Sequence, residues 1–224
     1  LLFTLSLFSK IQAVSLPLSM MAVDYFLDKK WAFKSMINKI PFFALSLGFG
    51  IYGIQKLKEF GSLATVTDTT DFNFIQRLFV GAYSFVIYLV KLVFPYELSP
   101  LYPYPNYFPW YFYPSMLIAP IVLYVLYSAY KKEQKAIFFG LSFFIVNIVF
   151  LLQILGAGQG FLADRFTYIA YLGLFFIAGY YLDQWMTNKP EKSSMALGLA
   201  GTFIVVFAFM TYNQNKIWQN SGTL

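Results

Sequence analysis

The side chains best suited to chemistry are four cations, Lys10, Arg77, Lys91 and Arg165, and two carboxylates, Glu97 and Asp164. The chain contains no His and no Cys. It therefore lacks the commonest general base, the commonest protein metal ligand and any thiolate. Acid–base work must fall to Asp, Glu, Lys or Tyr. No cofactor is evident, and no metal can be assigned. Arg165 directly follows Asp164, and a carboxylate beside a cation either orients it or neutralises it. Four cations against two carboxylates leave an excess of positive charge, which suits an anion.

Positioning such a set needs a scaffold, and composition says which kind. Of 224 residues, 59% are hydrophobic and 12% charged, against roughly 45–50% and about 25% in soluble domains. Apolar runs of about 20 residues match a hydrocarbon core of roughly 30 Å. Backbone groups must be satisfied internally in lipid, so these runs are expected to be helices. The fold class is all-α, a polytopic helical membrane bundle. Spans are expected at about 11–27, 40–55, 115–130, 136–155, 166–182 and 194–212, with Pro17 a kink in the first. Residues 213–224 turn polar and begin a region after the last span. The ends read as those of an internal piece of a longer polypeptide. The formal charge of +6 sits mostly between spans, where it sets orientation by the positive-inside rule. No nucleic-acid partner is expected.

The segment 74–94 differs from the others. Arg77, Gly81, Ser84, Tyr88 and Lys91 recur at spacings of 4, 3, 4 and 3, one stripe along a helix. Such a helix lies in the interface or lines a polar cavity. Residues 95–114 follow, dense in Tyr, Phe, Trp and Pro. Proline breaks helical continuity and Tyr and Trp favour the headgroup level, so this is an interfacial loop. Residues 156–165 form a tight turn before the next span.

Lysine clusters fix the orientation. Lys29, Lys30, Lys34 and Lys39, and then Lys131, Lys132 and Lys135, are expected on the cytoplasmic side. An even number of crossings must separate them, yet the apolar segments 40–54, 74–94 and 115–130 all lie between. The striped helix 74–94 is the one expected not to cross. Loops 56–114 and 156–165 are then external, 183–193 is cytoplasmic, and the C-terminus emerges outside. Lys10 precedes Asp28 by about 27 Å of helix, which places it at the outer surface. Lys10, Arg77, Lys91 and Arg165 thus share a rim where the positive-inside rule disfavours them. That is the motive for an anion site there, with Glu97 and Asp164 to orient the cations.

Three segments in this order carry a resemblance: residues 9–18 (SKIQAVSLPL) with Asp24-Tyr25, residues 92–100 (LVFPYELSP), and residues 163–168 (ADRFTY) with Leu172-Gly173. Together they resemble the membrane half of the transmembrane, tetratricopeptide-repeat O-mannosyltransferase-like proteins, bacterial members included. Residues 218–224 resemble the junction before the repeats. The resemblance implies a C-type glycosyltransferase fold, with this chain the C-terminal half of the membrane domain. It implies a polyprenyl-phosphate-linked sugar donor and transfer to a protein or glycan acceptor on the non-cytoplasmic face. It also implies a multi-pass location in the bacterial inner (plasma) membrane, a catalytic acidic residue in a loop upstream of Leu1, and repeats beyond Leu224. Where the family often places an acidic residue after the motif Lys, this chain has Ile11.

A polyprenyl-phosphate donor leaves a phosphate at the headgroup level. Arg binds phosphate oxygens with two parallel hydrogen bonds, whereas Lys supplies a point charge. Arg165 is the foremost candidate, with Lys10, Arg77 and Lys91 beside it and Asp164, Glu97 and Tyr168 in support. The acceptor hydroxyl needs a carboxylate base. Two other functions compete: a membrane anchor that presents repeats without chemistry, and a small-molecule transporter. Transporters favour internal repeats and mid-membrane charges, and neither is seen here.

Overall fold

A computed structural model describes residues 1–27, 36–59, 72–154 and 160–219. The chain is predominantly helical. Among the described residues, Phe74–Val93, Phe112–Lys131, Asp164–Asn188 and Pro190–Asn215 are long and apolar enough to cross a membrane. The protein is therefore a multi-pass helical membrane protein by length and composition. The lysines at 29, 30 and 34, and residues 156–159 of the turn expected at 156–165, lie outside the described residues.

Observed ends follow local chemistry. The Phe74–Val93 helix opens with a reciprocal cap, in which Asn73 Oδ1 accepts from the Gln76 amide at 2.9 Å and Gln76 Oε1 accepts from the Asn73 amide. It closes at Phe94 (φ −124°, ψ 81°), which has left the helical region before Pro95, where the ring of a following proline disfavours it. The first expected span is not a single α-helix. A 3-10 turn, Ile11–Ser15, leads into Leu16–Phe26, and Pro17 occupies the start of that helix and not its middle. There the missing amide costs nothing. The last span runs Ser193–Asn215 and continues as a 3-10 turn to Gln219, so the polar residues 213–219 stay helical.

The chain divides into two compact units, Leu1–Phe175 and Phe176–Leu224. In the first, Phe85, Tyr88, Phe144, Ile148, Leu152, Leu162 and Ala170 form the core. Helix Lys135–Ile148 is central: it packs on Leu16–Phe26 and meets Thr167–Asn188 where a Cβ on Gly173 would lie 2.3 Å from the Gly140 carbonyl oxygen. Only glycine permits that backbone approach. One feature adds to the all-α expectation. Tyr102–Pro103 pairs antiparallel with Gly160–Leu162, so the aromatic loop and the segment before Arg165 are stitched together. In the second unit, the Ser193 hydroxyl bonds the Met186 carbonyl oxygen at 3.2 Å across the turn at Pro190–Lys192. Phe203, Ile204, Val205 and Phe209 of this unit are exposed, as suits side chains bathed in lipid.

Candidate functional site

The structure brings Lys10 and Arg165 together. Helix Leu2–Ser9 stops because Lys10 turns extended (φ −153°, ψ 120°), its amide bonding back to the Ser6 carbonyl oxygen at 2.9 Å. Arg165 sits in the 3-10 turn Asp164–Phe166 that starts the next long helix. Both cations line one cavity of about 500 Å³, together with Gln12, Asn147 and Tyr168. Its lining contains no carboxylate. Among the described residues, neither cation has an acidic group within ion-pair distance. Two like charges facing one space without a counter-charge repel each other, and an anion between them relieves that repulsion. Arg165 also lies 5.7 Å from the Phe166 ring, over its face.

Lys91 has a different setting. Its side chain is 5% exposed and its ammonium lies 3.3 Å from Asp164 Oδ2. It also donates to the Glu97 main-chain carbonyl at 3.2 Å and to the Tyr102 hydroxyl. The same Asp164 oxygen accepts from the Ser99 amide at 2.7 Å and from Tyr102 Oη at 2.7 Å. Asp164 thus serves Lys91 and the 97–102 loop; Arg165 is not its partner. Burial, and then the Asp164 carboxylate, hold the Tyr102 phenol well above its ordinary pKa, so it stays protonated and able to donate.

The remaining candidates are dispersed. Arg77 lies at the opposite end of its helix from Lys91, and its Nε donates to the Phe72 carbonyl oxygen at 2.9 Å. Burial raises the nearby Tyr104 phenol's pKa, and the charge of Arg77 opposes that shift. Tyr168 is largely exposed at the cavity edge. Glu97 is exposed and has a backbone φ of 44°. As the stripe requires, Gly81, Ser84, Tyr88 and Lys91 are all buried. They face protein: Ser84 Oγ donates to the Phe161 carbonyl oxygen at 3.2 Å, and Tyr88 Oη bonds both the amide and the carbonyl of Ala163. The stripe is the seat of the 160–164 segment.

Sequence reasoning missed the polar floor of the Lys10–Arg165 cavity. Asn147 Oδ1 accepts from Ser15 Oγ at 2.8 Å, while its Nδ2 donates to Ser19 Oγ at 2.9 Å and to the Phe143 carbonyl oxygen at 2.8 Å. An Asn inside an otherwise apolar run was the available signal, since a buried amide must find partners. Among the described residues no three Asp, Glu, His or Cys side chains gather as metal ligands. No family model matches the chain, and neither the curated proteins nor the solved structures yield a match.

Proposed function

We propose that this chain is the membrane portion of a glycosyltransferase of the C-type fold, and that Lys10 and Arg165 hold the phosphate of a polyprenyl-phosphate-linked sugar. One observation carries the reading: two cations from distant parts of the sequence, neither with an acidic partner among the described residues, line one cavity whose described lining has no carboxylate. Phosphate fits because Arg supplies a planar pair of donors and Lys a mobile third. Both would strengthen their hold as charge develops on the leaving phosphate. The cavity floor supplies Asn147, Ser15 and Ser19, suited to hydroxyl groups. The acceptor is a protein or a glycan, approached from the non-cytoplasmic face of a bacterial plasma membrane, with the C-terminus on that face.

Phe74–Val93 is long and apolar enough to cross a membrane; we read it as external and non-crossing because of the path of the loop that follows it. The aromatic loop returns along it, from Tyr102 at Lys91 to Phe108, whose ring lies 5.4 Å from that of Phe72. Irregular backbone at membrane depth is tolerated only under protein or water.

The test uses the full-length protein. Arg165→Ala should cut transfer by roughly 10- to 100-fold per lost hydrogen bond while membrane insertion is retained, and Arg165→Lys should restore only part. Lys10→Ala should weaken retention of polyprenyl phosphate in nanodiscs. Full transfer by Arg165→Ala would leave the anchor reading, a membrane scaffold for repeats, as the better one.

A further inference from the structure

Beside the Lys91–Asp164 pair lies a second, smaller crevice. Its volume is about 170 Å³, and Tyr83, Tyr96, Tyr102, Phe161, Lys91 and Glu97 form its walls. Drug-sized sites run roughly 300–1,000 Å³, so this space admits a single ring.

Glu97 is the unusual residue. Its φ of 44° is left-handed, a conformation that costs an L-residue free energy and that glycine adopts freely. The strain is held by a hydrogen bond to its main-chain carbonyl from Lys91 Nζ at 3.2 Å, with the Tyr102 hydroxyl, whose single proton is shared between this carbonyl and Asp164, beside it. Its carboxylate, in contrast, has no ion-pair partner among the described residues. Strain of this kind persists where surrounding structure enforces it, and it points to function.

The chemistry of the walls narrows the ligand. A cation would be drawn to the rings of Tyr96 and Tyr102, but the Lys91 ammonium, 5.5 Å and 4.4 Å from their centroids, would repel it by charge while leaving the far face of Tyr96 to a neutral group. An anion would meet the Glu97 carboxylate, and the charge of Lys91 is already matched by Asp164. What remains is a neutral group with one apolar face for an aromatic ring and hydroxyls for a carboxylate. We infer that this crevice binds a single pyranose ring, with Glu97 accepting from its hydroxyls and Tyr96, which is half exposed, stacking on its C–H face. The inference does not rest on the phosphate site: its test reads sugar binding, whereas Arg165→Ala is read on transfer.

Saturation-transfer NMR on the full chain in nanodiscs tests it. The probes are methyl glucopyranoside, galactopyranoside and mannopyranoside, with tetramethylammonium as the cationic control. At least one glycoside should receive saturation, strongest at its ring C–H protons, and tetramethylammonium should neither receive it nor compete. Glu97→Gly separates binding from folding. It relieves the left-handed strain, so its melting midpoint should equal or exceed that of wild type. Its sugar affinity should nevertheless fall about tenfold or more, the scale of one hydrogen bond to a charged group. Tyr96→Phe should retain binding and Tyr96→Ala should lose it. The proposal is overturned if no glycoside binds the wild type, if tetramethylammonium competes, or if Glu97→Gly binds normally or melts lower.

Discussion

Removing the Asp164 carboxylate should destabilise the first unit more than any other single polar change. Its Oδ2 accepts from the Ser99 amide, from Tyr102 Oη and from the Lys91 ammonium, and the Lys91 side chain is only 5% exposed. Asp164→Ala strands that ammonium with neutral partners alone, and breaking a buried pair from one side costs about 3–5 kcal/mol. Asp164→Asn keeps an oxygen for Ser99 and Tyr102 but loses the charge, so the expected loss is about 1.5–3 kcal/mol. The double variant Lys91→Met/Asp164→Asn buries neither charge. It should be more stable than Asp164→Asn alone by about 1 kcal/mol or more, the signature of direct coupling. Thermal melting in detergent, followed by tryptophan fluorescence, gives the order of midpoints: wild type, double variant, Asp164→Asn, Asp164→Ala. If Asp164→Asn and the double variant melt together, the pair is not coupled. If Asp164→Ala melts as wild type, the account of this node is wrong.

Three further outcomes follow from particular contacts. Gly173→Ala places a methyl 2.3 Å from the Gly140 carbonyl oxygen, so it should lower stability by about 1–3 kcal/mol in the same melting assay, whereas Gly198→Ala, in open space, should not. Asn147→Leu deprives Ser19 of its bond and Ser15 of its better one, at a cost of about 1–3 kcal/mol in urea unfolding. With no native Cys, Lys132→Cys should label only from the cytoplasmic side and Tyr107→Cys only from outside, as impermeant maleimides on spheroplasts and inverted vesicles would report.

The helical, multi-pass character was legible because membrane helices announce themselves by length and apolarity. The individual spans were less so: those expected near 115–130, 166–182 and 194–212 are long and apolar enough to cross but so is Phe74–Val93, and Ile11–Phe26 and Lys135–Leu151 are shorter. The stripe of Gly81, Ser84, Tyr88 and Lys91 was legible too, since helical period fixes which residues share a face. Period does not say what covers that face. The partner is the 160–164 segment, some 75 residues away for Tyr88 and Ala163, and no local pattern encodes such a pairing. The four cations illustrate the same limit. Sidedness grouped them at one rim, but folding sends Lys10 and Arg165 to one cavity, Lys91 to Asp164, and Arg77 to the Phe72 carbonyl. The strain at Glu97 had no sequence signature, because a left-handed Glu is imposed by Lys91 and Tyr102 from outside its own segment.

The adjacency of Asp164 and Arg165 divides motion between backbone and side chain. Asp164 is tied down by its three donors, by its own amide on the Ser99 carbonyl at 3.3 Å, and by the Thr167 hydroxyl on its carbonyl at 2.8 Å. The peptide that carries Arg165 therefore cannot shift without breaking several bonds at once. Arg165 itself is exposed, and beyond its pinned backbone the guanidinium has, among the described residues, only the Phe166 ring, 5.7 Å away, as a contact to leave when it changes rotamer. Exposed side chains reorient in picoseconds to nanoseconds, and loops take nanoseconds to microseconds. On the proposed reading, an anion entering the cavity would be met by a side chain carried on a fixed backbone, and its capture would need no rearrangement of the chain.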